Sequence, residues 1–177
     1  MKKILLLICI IGLFTPATLH AQDRANVFRH GKLDNGLTYY VRHTSMQPGK
    51  ADFYLVQNVG ALMEEDNQNG LAHFLEHMAF NGSESFKEGI PNFLKRRGVT
   101  RFNAQTGQDE TVYYMTAIPT NDTKLLDSCL LVMKDWSGFL LLKPDEIDKE
   151  RGVIREERRM RRNLGIEPLN HCVPYSV

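Results

Sequence analysis

A two-layer α+β domain, a sandwich of mixed sheet and helices, is the fold this sequence predicts, and three observations carry it. Short apolar runs at 37–41 and 51–59 alternate as strands do. Longer segments at 71–80 and 122–136 repeat apolar residues at helical spacing. Turn and stop signals at Asn35-Gly36, Asn81-Gly82 and Gly98 separate these runs. Strands interspersed with helices over one domain length favour a sheet with helices packed on it.

The first residues precede that fold. Met1-Lys2-Lys3 is a basic start, and the apolar run 4–14 is too short to span a bilayer as a stable anchor. Residues 16–22 offer a cleavage site after Ala21. Residues 1–21 therefore read as a signal peptide, which implies export to the periplasm or beyond; an uncleaved, membrane-anchored form is the minor alternative. A lipoprotein reading at Cys9 fails because Ile8 stands where a small residue is needed. The chain has 177 residues, with 22 Lys+Arg against 21 Asp+Glu. No basic face large enough to collect phosphates stands out, which argues against a nucleic-acid partner. Beyond the signal peptide there is length for one domain with a real core.

The elements follow in order. Asn35-Gly36 between apolar runs is a hairpin signal, and Leu37, Tyr39 and Val41 alternate as a half-buried strand should. A second strand follows the turn at Gln47-Pro48-Gly49 and covers 51–59, with Phe53, Leu55 and Val59 on one face. The cluster 64–69 reads as a loop ending in N-cap residues for a helix over 71–80. In that helix Phe74, Leu75, Met78 and Phe80 are expected to face the core. A short helix covers 90–97, and a strand 111–118 is closed by Pro119. Asp122 caps a helix through Trp136, with Leu125, Leu126, Cys129, Leu130, Met133 and Trp136 at helical spacing. Pro144 suits the first turn of a last helix that runs to about Arg162. Its arginines alternate with glutamates, the pattern of a solvated face. Cys129 reads as core; with Cys172 it makes no disulfide framework, although an exported chain could pair the two.

Within the first long helix, His73-Phe74-Leu75-Glu76-His77 reads H-x-x-E-H. The i, i+4 spacing puts both imidazoles on one face, where they can reach one metal ion. Glu76 lies near the same rim, where a general base for a metal-activated water would sit. Two such histidines can also be packed side chains with no metal. A metal reading demands a third ligand from elsewhere and an open fourth position. In the last helix Glu150 and Glu157 lie two turns apart on one face, and such a carboxylate pair is costly without a cation. His30 and His43 have no ligand-like spacing, and the adjacent His171 and Cys172 point in different directions.

Four blocks in order resemble the pitrilysin/insulinase family of zinc peptidases. They are Leu33-Asp34-Asn35-Gly36-Leu37; Gly70-Leu71-Ala72-His73-Phe74-Leu75-Glu76-His77-Met78; Phe102-Asn103-Ala104-Gln105-Thr106 ahead of Asp109-Glu110-Thr111-Val112-Tyr113; and Glu150-Arg151-Gly152-Val153-Ile154-Arg155-Glu156-Glu157. The resemblance implies that His73, His77 and Glu157 bind one Zn2+ per chain, that Glu76 is the general base, and that Glu150 orients a histidine ligand. Glu156 is the rival ligand, although it should point about 100° from Glu157. Asn103 and Ala104 match the edge strand that pairs with extended substrate. The implied activity is a zinc metalloendopeptidase that hydrolyses oligopeptides or unfolded polypeptides with a metal-activated water.

The same resemblance marks departures. Family members carry further homologous domains, in the same chain or a partner subunit, that enclose the peptide. Here residues 22–164 correspond to part of the first peptidase domain, and 165–177 read as a disordered or non-family tail. The segment between Gly98 and Asn103 is shorter than is usual for the family. The expectation is a truncated or frame-shifted product. Its alternative function is an inactive remnant, or a subunit that holds zinc or peptide without turnover.

Overall fold

The computed structural model describes residues 28–163. The signal peptide read at 1–21 and the tail at 165–177, with His171 and Cys172, lie outside the described residues. The chain divides between Met46 and Gln47 into two compact units.

The described part of the first unit is an antiparallel hairpin of β1 (Phe28–Lys32) and β2 (Thr38–Arg42). Its turn depends on Gly36, whose φ of 89° favours glycine, and on Asn35, whose side-chain oxygen accepts from the Leu37 amide at 3.1 Å. The half-buried face expected at Leu37, Tyr39 and Val41 does not form within this ribbon, and all three are exposed. A two-stranded sheet has no second layer of its own to cover a face.

The second unit carries β3 (Lys50–Gln57), α1 (Leu71–Met78), α2 (Ile90–Arg96), β4 (Phe102–Thr106), β5 (Thr111–Pro119), α3 (Thr123–Trp136) and α4 (Pro144–Asn163). Its sheet has the order β3-β5-β4 with both pairs antiparallel, so β5 is central and β4 is an edge. Leu55, Tyr113, Met115 and Ala104 point from the sheet into a core completed by helices, while Tyr54 and Val56 on the opposite side are exposed. This is the expected helix-on-sheet layering.

Several boundaries moved for local reasons. β3 stops at Gln57 rather than 59, and Val59 is exposed and outside the strand; its carbonyl instead accepts from the Thr111 hydroxyl at 2.8 Å. In α3, Asp122 caps the helix as expected, its carboxylate accepting from the Leu125 amide at 3.0 Å. The buried stripe of α3 is Leu125, Cys129, Val132 and Trp136, and Leu130 is exposed. Residue 130 follows Cys129 by one position, about 100° round the helix from the buried face.

Two buried interactions fix the chain end of α1. The Trp136 indole N–H donates to the Ala79 carbonyl at 2.9 Å, and its ring stacks on Tyr113 with centroids 5.5 Å apart. Next to it, the fully buried Asp135 accepts from the Ser83 hydroxyl at 2.7 Å and the Ser85 amide at 2.8 Å. Together they answer the orphan carbonyl at the helix end and hold the turn that leaves it.

Candidate metal centre

Helix α1 begins without one of the cap residues expected in 64–69. Its N-cap is Gly70, in the left-handed region at φ 89°. The Glu64 carboxylate reaches over instead, accepting from the Gly70 amide at 2.6 Å and the Ala72 amide at 2.7 Å. A carboxylate on unpaired amides at a helix start is favoured by both hydrogen bonding and the helix dipole. That cap sits one residue before His73. On the core side of α1, Met78 and Ala79 are fully buried and Phe80 packs at the core margin; Leu75, expected there, is exposed alongside Leu71.

From this helix His73 and His77 project toward α4, which packs against α1. The two Nε2 atoms lie 3.2 Å apart. Glu157 Oε2 is 3.3 Å from the His77 Nε2 and 3.7 Å from the His73 Nε2. Ligands at ~2.0–2.1 Å on a tetrahedral zinc are separated by roughly 3.3 Å, so this spacing suits such an ion. Two imidazole nitrogens and one carboxylate oxygen are also the donor types of a catalytic zinc site with a fourth position open. Among the described residues, this trio is the one group of three metal-type side chains whose ligand atoms converge.

The surroundings of the trio narrow its chemistry further. His77 Nδ1 donates to Glu150 Oε1 at 2.7 Å, which leaves its Nε2 bare toward the cluster. Burial, then the neighbouring His77, holds the His73 imidazole below its ordinary pKa, against the pull of Glu157 and Glu76. A neutral imidazole is the form that binds metal. The other oxygen of Glu157 pairs with Arg161. Glu156 is turned away onto Arg159, at 2.5 Å, on the exposed face.

Glu76 lies on α1, one residue before His77. It is 9% exposed, and its Oε2 accepts from the Thr106 hydroxyl at 2.5 Å. Nearby, burial and then the Glu76 carboxylate push the Tyr113 phenol up to about 12. Asn103 is exposed on β4, and Ala104 is buried beneath it. They face Tyr114 and Tyr113 across the β5 pair, and no strand pairs with the other side of β4 among the described residues.

The sequence did not point to Glu64, Thr106 or Tyr113. Thr106 and Tyr113 lie inside the blocks that carried the resemblance, yet nothing in their spacing from Glu76 reveals a contact. The Glu64 bonds arise where two short 3-10 turns, Ala61–Met63 and Asp66–Gln68, meet and fold back on the helix start, which no periodic pattern announces.

The likenesses to known proteins follow the same residues. A family model described as insulinase (peptidase family M16) matches residues 34–164. The probable zinc protease PqqL of Haemophilus influenzae is 38% identical over 137 residues, which is 75% of this chain and 15% of that protein. The crystal structure of the periplasmic protease PqqL from Escherichia coli superposes with a TM-score of 0.71 at 35% identity, over 75% of this chain and 15% of that one. A crystal structure of the first half of the same protease also superposes at 0.71, with 34% identity over 76% of this chain and 29% of that one. The chain spans 15% of the length of these full-length relatives.

Proposed function

The chain belongs to the insulinase family, peptidase family M16, and on that membership we propose that it is the zinc-binding part of a metalloendopeptidase acting on oligopeptides or unfolded polypeptides. The observation that carries this reading is the convergence of the His73, His77 and Glu157 ligand atoms beside Glu76. Zinc held there would act as a Lewis acid on a peptide carbonyl and lower the pKa of water toward ~7.

The chain's own residues supply the rest. His77, oriented by Glu150, and His73 hold one face of the site, and Glu157 closes it from α4. Glu76 accepts the proton of the attacking water and passes it to the leaving amine, so no covalent intermediate is needed. The outer edge of β4 at Asn103 and Ala104 pairs with an extended peptide backbone. Such pairing binds through main-chain hydrogen bonds and asks little of the sequence. The greater length of the relatives supports a further peptidase-like domain or subunit as partner. Export to the periplasm is supported by the likeness to the periplasmic protease of Escherichia coli, together with the basic and apolar start of the chain.

The test is cleavage of an internally quenched peptide by the chain loaded with one equivalent of Zn2+. Cleavage that disappears in Glu76→Gln, with zinc still bound, is the expected result. Zinc and peptide binding without Glu76-dependent cleavage would instead make this a binding subunit or remnant.

A further inference from the structure

We propose that Thr106 is the positioning residue for Glu76, its hydroxyl holding one carboxylate oxygen and tying the base to edge strand β4. The proposal rests on the reading of Glu76 as general base. The hydrogen bond of 2.5 Å joins residues 30 apart in sequence and connects α1 to β4. With Oε2 engaged, Oε1 is the oxygen left to meet the attacking water. A glutamate has three side-chain torsions to fix, and ordering them beforehand is how a positioned base gains rate.

Thr106 is suited to that role because it sits on a rigid part of the sheet. It is the last residue of β4 and pairs with Thr111 of β5. The Thr111 hydroxyl is itself anchored on the Val59 carbonyl at 2.8 Å. The hairpin tip beyond Thr106 is closed by the Gly107 amide on the Glu110 carbonyl at 2.7 Å. It is also clamped from outside: the Ala61 amide donates to Gly107 at 3.2 Å, and the Leu62 amide to Gln108 at 2.8 Å. A site supported this way keeps its geometry better than one carried on a free loop. The same strand holds Asn103 and Ala104, so a peptide added to β4 would dock on the element that orients the base. Packing alone does not call for a hydroxyl here, since valine has the same shape and forms strands well.

The experiment uses the full chain in two arms. In the first, the zinc-loaded protein cleaves an internally quenched peptide. Thr106→Val lowers kcat by about tenfold with KM within about twofold, and Thr106→Ser restores kcat to within about twofold. A rise in KM at unchanged kcat overturns the proposal, because Thr106 would then serve the strand rather than the base. In the second arm, urea unfolding of the metal-free protein compares Thr106→Val, Glu76→Ala and the double variant. Their unfolding constants are expected to be coupled by about fivefold or more, and simple additivity overturns the proposal. If the unsubstituted zinc-loaded chain cleaves nothing, the peptidase reading fails by itself, and the second arm still decides whether Thr106 holds Glu76.

Discussion

Glu150 Oε1 lies 2.7 Å from His77 Nδ1, and this contact determines which nitrogen of the ring faces His73 and Glu157. Carboxylate partners of this kind fix the tautomer and orientation of a ligand histidine and raise its basicity. Glu150→Ala is therefore expected to weaken zinc binding by about 10–100-fold. Competition with a fluorescent chelator measures it, and an affinity equal to that of the unsubstituted chain would show that Glu150 is a bystander.

Tyr113 gives a pH dependence. Its folded-state pKa is raised from 10.0 to about 12, first by burial and then by Glu76. A raised pKa means that the neutral phenol is favoured by the fold. Its stabilisation is fully present below pH 10.0 and is lost as pH climbs through the window to about 12. An alkaline titration followed by tyrosinate absorbance should show one ring that ionises last, in step with loss of structure. Tyr113→Phe should remove that late phase. A late phase that persists in the variant would assign it to another tyrosine.

The end of α1 depends on α3. Trp136→Phe keeps most of the ring but leaves the Ala79 carbonyl without its indole donor. The expected loss of stability is about 1–3 kcal/mol in urea unfolding. Asp135→Ala should cost more, about 2–4 kcal/mol, because the Ser83 hydroxyl and Ser85 amide both lose a charged acceptor. Equal or negligible losses for the two variants would mean that the turn after α1 finds other partners.

Cys129 is buried in the core, and burial pushes its thiol up to about 11. At about pH 8 it therefore carries little thiolate, and thiolate is the reactive form. Iodoacetamide should leave Cys129 unmodified in the native chain and modify it in urea, as read by peptide mass mapping. Rapid native labelling would place Cys129 outside the packed core.

How far the sequence carried the fold and the site depends on which interactions were local. α1 was legible because its metal-type residues and stop signal recur within a few positions, and α3 because Asp122 and the apolar stripe sit at helical spacing. Leu75 departs from the expected core face because apolar type alone does not set burial; the face that packs is fixed by which side the sheet approaches. Val59 keeps the alternation of Phe53 and Leu55, although the ladder ends two residues earlier at Gln57. The Glu64 cap and the Thr106 bond to Glu76 join segments through tertiary folding, so residue type and spacing contained no sign of them. Glu157 stood between these cases. Its helix was evident, but its place opposite the histidines came from resemblance, and the structure then set it 3.3 Å from His77.

Titration calorimetry of the metal-stripped chain with Zn2+, repeated on single variants of the proposed ligands, tests the proposed metal centre most directly. One zinc per chain is expected, with His73→Ala, His77→Ala and Glu157→Ala each weakening binding by at least about 100-fold. Glu156→Ala, whose carboxylate faces Arg159, should change it by no more than about threefold. Zinc binding that survives the loss of both histidines, or that falls as far with Glu156→Ala as with Glu157→Ala, would contradict the assignment.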